Sequence, residues 1–120
     1  MSDDNNQTDF HKDLRKYMDD LVNLVYDATL KYPKDEMYGV TSQLRRATLS
    51  IVLNYIEGYA RLRKLVLKNF LEISYGSLKE TKYLLEFSLK RKYLSEEDFN
   101  KANNLVDIIG KMIWGVLRRL

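Results

Sequence analysis

Apolar side chains recur along this 120-residue chain at alternating intervals of four and three residues, the spacing of one face of an α-helix. The pattern predicts four helices. Three start near residues 8, 35–38 and 62–65 and end near residues 31, 61 and 90, and the fourth follows Ser95. The predicted buried faces are Phe10, Leu14, Tyr17, Leu21, Leu24 and Ala28; Val40, Leu44, Ala47, Ile51, Asn54 and Gly58; Val66, Phe70, Ile73, Ser77, Leu84 and Phe87; and Ala102, Leu105, Ile109, Met112, Val116 and Leu120.

Residues that stop and start helices stand at the segment boundaries. Pro33 lacks a backbone N–H and disfavours helix at the preceding residue, which predicts a break there. Ser95 is a good N-cap, and the three acidic residues 96–98 after it favour the first turn of a helix. Gly76 lies inside the third helix, where glycine costs about 1 kcal/mol relative to alanine. We therefore expect another helix to cross closely at Gly76.

Four long helices with short connections predict an all-α fold, an up-down-up-down antiparallel four-helix bundle. With one proline and five glycines, the chain has few residues that favour turns. We assign the bundle to residues 8–120 as one domain and expect residues 1–7 to form a disordered tail. The second helix is apolar on more than one side, because Leu49, Val52, Leu53 and Ile56 widen its buried face. This breadth favours self-association into a homo-oligomer.

Composition excludes several classes of function. The chain has no cysteine, so disulfides, thiolate metal sites and cysteine nucleophiles are absent. Apolar runs are far shorter than the roughly 20 residues that span a bilayer, and the first residues are acidic and polar, unlike a secretory signal. We expect a soluble cytoplasmic protein without a membrane partner.

The sequence offers little to catalysis. His11 is its only histidine, which cannot supply a di-iron or zinc ligand set, and no arginine precedes it in the order found in some helical ribonucleases. We expect His11 to be an exposed side chain near a helix start. Glycine-rich phosphate loops are also missing. The sequence thus predicts no enzyme, no catalytic residue, no metal and no cofactor.

Charge is divided unevenly along the chain. Residues 1–27 hold three basic and seven acidic side chains, a net of −4, whereas the remainder has 17 basic and 10 acidic side chains, a net of +7. Basic residues that track phosphates, with tyrosines that stack on unpaired bases, predict nucleic-acid binding, with RNA preferred. Ordinary solubilising lysines and helix-dipole pairing are the alternative explanation. The candidate nucleic-acid-binding residues are Arg45, Arg61, Arg63, Lys64, Lys68, Tyr75, Lys79, Arg118 and Arg119.

Three polar residues on the second helix are predicted to have a structural role. Asn54 stands on the apolar face, where it needs hydrogen-bond partners and sets helix register. Arg46 and Glu57 share one stripe, so Arg46 is expected to pair with Glu57, Glu36 or another acid. Arg45 points about 100° away from Arg46 and faces solvent, a neighbouring subunit, a phosphate or an internal acid.

Several motifs resemble one known family. They are Pro33-Lys34-Asp35-Glu36, Tyr38-Gly39-Val40-Thr41-Ser42-Gln43-Leu44-Arg45-Arg46-Ala47, Asn54-Tyr55-Ile56-Glu57-Gly58-Tyr59 and Phe70-Leu71-Glu72-Ile73-Ser74-Tyr75-Gly76-Ser77-Leu78-Lys79-Glu80. The chain resembles the four-helix-bundle proteins encoded in intervening sequences of 23S ribosomal RNA genes. The resemblance implies the same bundle and a ring-shaped homo-oligomer, a pentamer.

Related accessory proteins of diversity-generating retroelements share this fold. That likeness implies a basic ring that binds a reverse transcriptase with its template RNA or cDNA. The motifs are more similar to the ribosomal group, so the retroelement function is the alternative, and a neighbouring reverse-transcriptase gene would favour it. The leading hypothesis is a non-enzymatic, nucleic-acid-binding oligomer. A purely structural scaffold that binds a protein partner is the competing class.

Overall fold

The computed structural model describes the backbone of residues 2–120 and the side chains of residues 9–120. The four helices are α1 (Ser2–Thr29), α2 (Val40–Tyr59), α3 (Lys64–Lys90) and α4 (Glu96–Leu117), with a 3₁₀ turn, Lys34–Glu36, between α1 and α2. No strand occurs in this part of the chain. The disordered tail predicted for residues 1–7 lies outside the residues described in full, and it stays a prediction.

The helices form a ring of four in which each packs against two neighbours. α2 contacts α1 and α3, and α4 contacts the same two helices from the other side. Along each of three helix pairs, higher residue numbers in one helix meet lower ones in the next. The contacts are Thr29–Arg45 and His11–Tyr55 between α1 and α2, Ser50–Ser77 and Gly58–Phe70 between α2 and α3, and Tyr75–Trp114 and Lys82–Asp107 between α3 and α4. Neighbouring helices are therefore antiparallel, which confirms the predicted up-down-up-down bundle.

The buried faces of α1 and α4 are rotated slightly from the predicted ones. Leu14, Leu21, Ala28, Ala102 and Ile109 are buried as predicted. The other buried positions are Met18 and Val25 in α1 and Val106, Ile113 and Leu117 in α4, whereas the predicted Phe10, Tyr17, Leu24, Leu105, Met112, Val116 and Leu120 are half-buried. A helix that packs on two neighbours buries a face wider than one stripe, so the centre of that face follows from the packing.

The prediction of which α3 residues face the core was partly wrong. Ile73 is 51% exposed, and Val66, Phe70 and Phe87 are only half-buried. In their place α3 buries Leu71, Leu78 and Leu85, which the prediction missed. It also buries small hydroxyl residues that an apolar pattern does not detect, Ser74, Thr81 and Ser88, alongside the predicted Ser77. The hydroxyl of Ser74 donates to the carbonyl of Ile51 in α2 at 2.7 Å, so its burial leaves no unpaired donor. Small, satisfied side chains let α2 and α3 pack closely.

The close helix crossing occurs at Gly58 rather than at Gly76, where it was expected. A Cβ added at Gly58 would lie 3.0 Å from Cβ of Phe70 and 3.1 Å from Cδ1 of Leu67. A Cβ added at Gly76 would meet no atom within 4 Å. The glycine that α2–α3 packing requires is therefore on α2.

Alanine at Gly76 and alanine at Gly58 are expected to change the free energy of unfolding differently. Gly76→Ala should raise the free energy of unfolding by about 1 kcal/mol, because it gains helix propensity without a clash. Gly58→Ala crowds Phe70 and Leu67, which must shift by a few tenths of an ångström, and it should be less stable than Gly76→Ala by about 1–3 kcal/mol. Urea denaturation followed by circular dichroism measures both variants. Equal stabilisation by the two changes would contradict the close approach at Gly58.

The ends of α3 and α4 show how the connection between them is stabilised. Ser95 is the N-cap of α4, as predicted, since its hydroxyl accepts the backbone N–H of Asp98 at 3.1 Å. α3 ends in a Schellman motif, in which the N–H of Tyr93 donates to the carbonyl of Ser88 at 2.9 Å. The residue at the left-handed position of this motif is Lys92, with φ 64°. A side chain is strained there, and glycine is not.

Lys92→Gly is therefore expected to stabilise the protein, raising the free energy of unfolding by about 0.5–1 kcal/mol. The matched control is Lys90→Gly, two residues earlier in the last turn of α3, where glycine should lower stability by up to about 1 kcal/mol. Chemical denaturation compares the two variants. If both variants were less stable than the wild-type protein, the left-handed backbone at Lys92 would not be a source of strain.

Candidate nucleic-acid interface

One end of the bundle gathers basic residues from two stretches of the chain, residues 61–68 and 118–119. The antiparallel order places the C-terminal ends of α2 and α4 beside the N-terminal end of α3. A cleft of about 460 Å³ joins these ends, since Tyr59 of α2, Leu67 of α3 and Arg119 after α4 all line it. The basic end consists of Arg61, Arg63, Lys64, Lys68, Arg118 and Arg119, all exposed except the half-buried Lys68. Residues 61–68 and 118–119, which are distant in sequence, thus lie at the same end of the bundle.

Arg61 is the most ordered member of the basic end. Its guanidinium pairs with the carboxylate of Glu57 one turn earlier, and it lies 5.3 Å from the centre of the Phe70 ring. The ion pair is about half exposed, so it contributes little stability, but it holds the side chain in place. Among the side chains that the structure describes, no carboxylate pairs with the other five residues of the basic end. Their charges are available to an anionic partner.

A basic stripe continues from this end along α3. Lys64, Lys68, Tyr75, Lys79 and Lys82 follow one another at helical intervals of four, seven, four and three residues, which puts them on one face. The 18 residue steps from Lys64 to Lys82 cover about 27 Å at 1.5 Å per residue. A row of this length matches the path of several phosphates.

A second stripe, on α4, faces the first across the groove between the two helices. Lys111, Trp114 and Arg118 are spaced by three and four residues and share a face of α4. The Tyr75 and Trp114 rings lie 5.9 Å apart, and Lys82 reaches Asp107 of α4 at 3.7 Å. We name this surface the α3–α4 face. It consists of the α3 stripe, the α4 stripe and the basic end, which lies at the N-terminal end of α3. It brings together every predicted nucleic-acid-binding residue except Arg45.

Trp114 and Lys111 were absent from the predicted site. The available signal was the spacing of Lys111, Trp114 and Arg118, which places the tryptophan between two basic residues on a single face. In the structure Trp114 is 55% exposed, which is unusual for the largest apolar side chain.

Comparison with known proteins agrees with this architecture. The family model described as the 23S rRNA-intervening sequence protein matches residues 12–115. The chain belongs to this family. A protein of unknown function from the S23 ribosomal protein family of Bacteroides thetaiotaomicron has a similar structure, with a TM-score of 0.83 at 18% identity over 91% of this chain and 98% of that one. At that identity the likeness shows the fold alone. No curated protein matches the chain significantly.

Arg45 lies on the other side of this intervening-sequence protein, where it joins α2 to α1. Its Nε donates to the hydroxyl of Thr29 at 2.8 Å, and its guanidinium lies 4.7 Å from the centre of the Tyr26 ring. The side chain is half-buried by these contacts. The sequence left its environment open among solvent, an interface, a phosphate and an internal acid, and the structure gives it an internal aromatic and hydroxyl environment.

The three predicted structural residues of α2 have different surroundings. Asn54 donates to the carbonyl of Ser50 at 2.8 Å and to its hydroxyl at 2.9 Å, and this hydroxyl shares a 2.7 Å hydrogen bond with that of Ser77. Asn54 therefore belongs to a polar chain between α2 and α3. Glu57 pairs with Arg61. Arg46 is exposed beside a shallow cleft lined by residues that include Ser50 and Ser77.

His11 is not the exposed side chain that was expected. It is half-buried, hydrogen-bonded through Nδ1 to the hydroxyl of Tyr55, and packed edge-on against the Tyr59 ring at 4.7 Å. Burial lowers the pKa of His11 and raises the pKa of Tyr55 and of Tyr59. All three groups are therefore neutral near pH 7. The cluster joins α1 to α2 beside the basic end.

The described residues form neither a metal-binding group nor a membrane-spanning helix. No group of three or more His, Asp or Glu side chains there is arranged to hold a metal ion. Across the described helices, no stretch combines the length and the apolar character that crossing a membrane requires.

Proposed function

We propose that this intervening-sequence protein is a non-enzymatic nucleic-acid-binding protein that uses its α3–α4 face to bind RNA. The observation that supports the proposal is that basic residues from two stretches of the chain lie along one surface, beside the exposed Trp114 and the half-buried Tyr75. Phosphate contacts of this kind supply most of the affinity of non-specific binding. A surface of long, exposed cations fits a flexible polyanion better than a small substrate.

The charges along the face favour a strand that follows α3. Lys64, Lys68 and Lys79 approach phosphates from one side of the groove, while Lys111 and Arg118 approach from the other. Asp107 neutralises part of the charge of Lys82 at the far end. The positive potential is therefore greatest toward the basic end, where binding is expected to be strongest.

A binding titration with short RNA, DNA and hybrid strands across salt concentrations tests this proposal. The logarithm of the affinity should fall linearly with the logarithm of salt concentration, with a slope that counts the phosphate contacts, roughly four to six for this surface. RNA is expected to bind more tightly than DNA of the same length. Absence of binding at low salt would overturn the proposal.

We also propose that the protein assembles into a homo-oligomer through the outer side of α2. Leu53 is 59% exposed and Ile56 42% exposed on that side, and the half-buried Leu49 lies next to them. A second copy of the chain that covers these residues would remove the apolar surface from water. The pentamer implied by the family resemblance stays a prediction. In such a ring the α3–α4 face would be repeated, and avidity would raise its affinity.

A protein-binding scaffold and a retroelement accessory protein stay as alternatives. Leu62 and Leu65 are exposed at the basic end, and apolar contacts there would suit a protein partner. Binding of a protein partner that does not weaken with salt would favour the scaffold. A reverse-transcriptase gene beside this one would favour the retroelement function. The cytoplasmic location stays a prediction from the sequence.

A further inference from the structure

An aromatic pair stands open in the middle of the α3–α4 face. The rings of Tyr75 and Trp114 lie 5.9 Å apart at an interplanar angle of 38°. Trp114 is largely exposed, and Nζ of Lys79 lies 5.1 Å from the centre of the Tyr75 ring. Lys111 lines the same groove, of about 220 Å³. Two aromatic rings and two cations therefore converge on one exposed site.

Glycines surround this pair without a packing reason. Gly76 follows Tyr75, Gly115 follows Trp114, and a Cβ added at either would meet no atom within 4 Å. Each is an interior helix position, where glycine costs about 1 kcal/mol relative to alanine. At Gly110, one turn before Trp114, an added Cβ would lie 3.2 Å from Cδ2 of Leu78. Packing therefore explains neither Gly76 nor Gly115.

The chemistry of the site selects one kind of occupant. An exposed ring offers its π-face to a flat group, and nucleobases stack on tryptophan and tyrosine in this way. The tilt between the two rings leaves no parallel slot between them, so a base would lie on the outer face of Trp114. Lys79 and Lys111 would then be within reach of the flanking phosphates. Bases inside a duplex are already stacked on each other and cannot use such a site.

We propose that Tyr75 and Trp114 form a stacking platform for an unpaired nucleobase, so that the α3–α4 face binds single-stranded rather than double-stranded nucleic acid. This inference rests on the proposed function and specifies its substrate class. Lys79 and Lys111 hold the phosphates on either side of the stacked base. The basic end supplies the remaining phosphate contacts.

Trp114 is the only tryptophan of the chain, so its fluorescence reports on the platform alone. The experiment titrates the wild-type protein with an end-labelled uridine oligonucleotide, and with an RNA duplex of equal length. Anisotropy of the label measures binding, and Trp114 emission measures stacking. The single strand should quench Trp114 with the same midpoint as the anisotropy curve. The duplex should bind with little quenching.

Two variants separate stacking from charge. Trp114→Ala should weaken single-strand binding about 10-fold or more while the salt dependence stays unchanged, and Trp114→Phe should recover most of the affinity. The matched control is Tyr83→Ala, an exposed aromatic residue of α3 outside the groove, which should bind as wild type does. Because both Trp114 and Tyr83 are exposed, neither change should affect folding, which circular dichroism verifies.

The outcomes distinguish the platform from the proposed function. Salt-dependent binding without quenching, together with wild-type affinity for Trp114→Ala, would contradict the stacking platform. The proposal that the α3–α4 face binds nucleic acid would still hold. Equal quenching by the duplex would overturn the preference for unpaired bases. If neither nucleic acid binds at low salt, the proposed function fails and the platform fails with it.

Discussion

Changing Arg61, Arg63, Lys64 and Lys68 together to glutamate is expected to abolish RNA binding while the helical content stays unchanged. Four attractive charges at the basic end become four repulsive ones, so both phosphate contacts and electrostatic steering are lost. The loss of affinity should be on the order of 100-fold or more near 0.1 M salt. Filter binding or anisotropy measures the affinity, and circular dichroism measures the helical content.

A matched variant distinguishes position from net charge. Lys16, Lys31, Lys34 and Lys101 are exposed outside the α3–α4 face, and their change to glutamate alters the net charge by the same amount. Lys16 pairs with Asp20 and Lys101 pairs with Glu97, each one helical turn away. Both ion pairs are exposed, so their loss should cost little stability. This control should lose far less affinity than the first variant. An equal loss in both would mean that overall charge, and not this surface, determines binding.

Adding charge to the outer side of α2, with Leu53→Glu and Ile56→Glu combined, is expected to dissociate the oligomer into 14.2 kDa monomers. Burying carboxylates in an apolar contact between subunits costs several kcal/mol, which exceeds what the remaining contacts supply. Glutamate is a good helix former and both positions are exposed, so the monomer itself should stay folded. Size-exclusion chromatography with light scattering measures the mass.

The control for this prediction places the same charges elsewhere. Leu30, directly after α1, and Tyr83 of α3 are exposed apolar residues, and their change to glutamate should leave the oligomer intact. The dissociated α2 variant should also bind RNA more weakly than wild type, because avidity is lost. A monomeric wild-type protein would refute the self-association proposal before any variant is made.

Helix number and helix ends could be predicted from the sequence because they depend on neighbouring residues. Ser95 caps α4 as expected, and the chain leaves α1 just before Pro33. Capping bonds and the restrictions of proline act within a few residues, so they can be recognised without a tertiary structure. The four-and-three spacing was sufficient to predict four helices and the antiparallel bundle.

The orientation of each helix about its own axis was harder to predict. Ile73 was assigned to the core and is exposed, whereas Ser74 and Thr81 were not assigned and are buried. A hydroxyl that bonds to a nearby carbonyl can be buried at little cost, and only the structure shows that the carbonyl is available. The same limit applies to Gly58, whose role depends on the position of Phe70 in the next helix.

The basic residues of α3 and their common face were determined by the local sequence, since helical spacing alone aligns Lys64, Lys68 and Tyr75. Their meeting with Arg118 and Trp114, some 40 or more residues away, was decided by tertiary packing, because the antiparallel order of the helices sets which residues of α4 face them. Arg45 shows the same dependence on packing, since the sequence left its environment open and the fold places it against Tyr26. Local periodicity therefore determined which residues share a helix face, and packing between helices decided which faces become one surface.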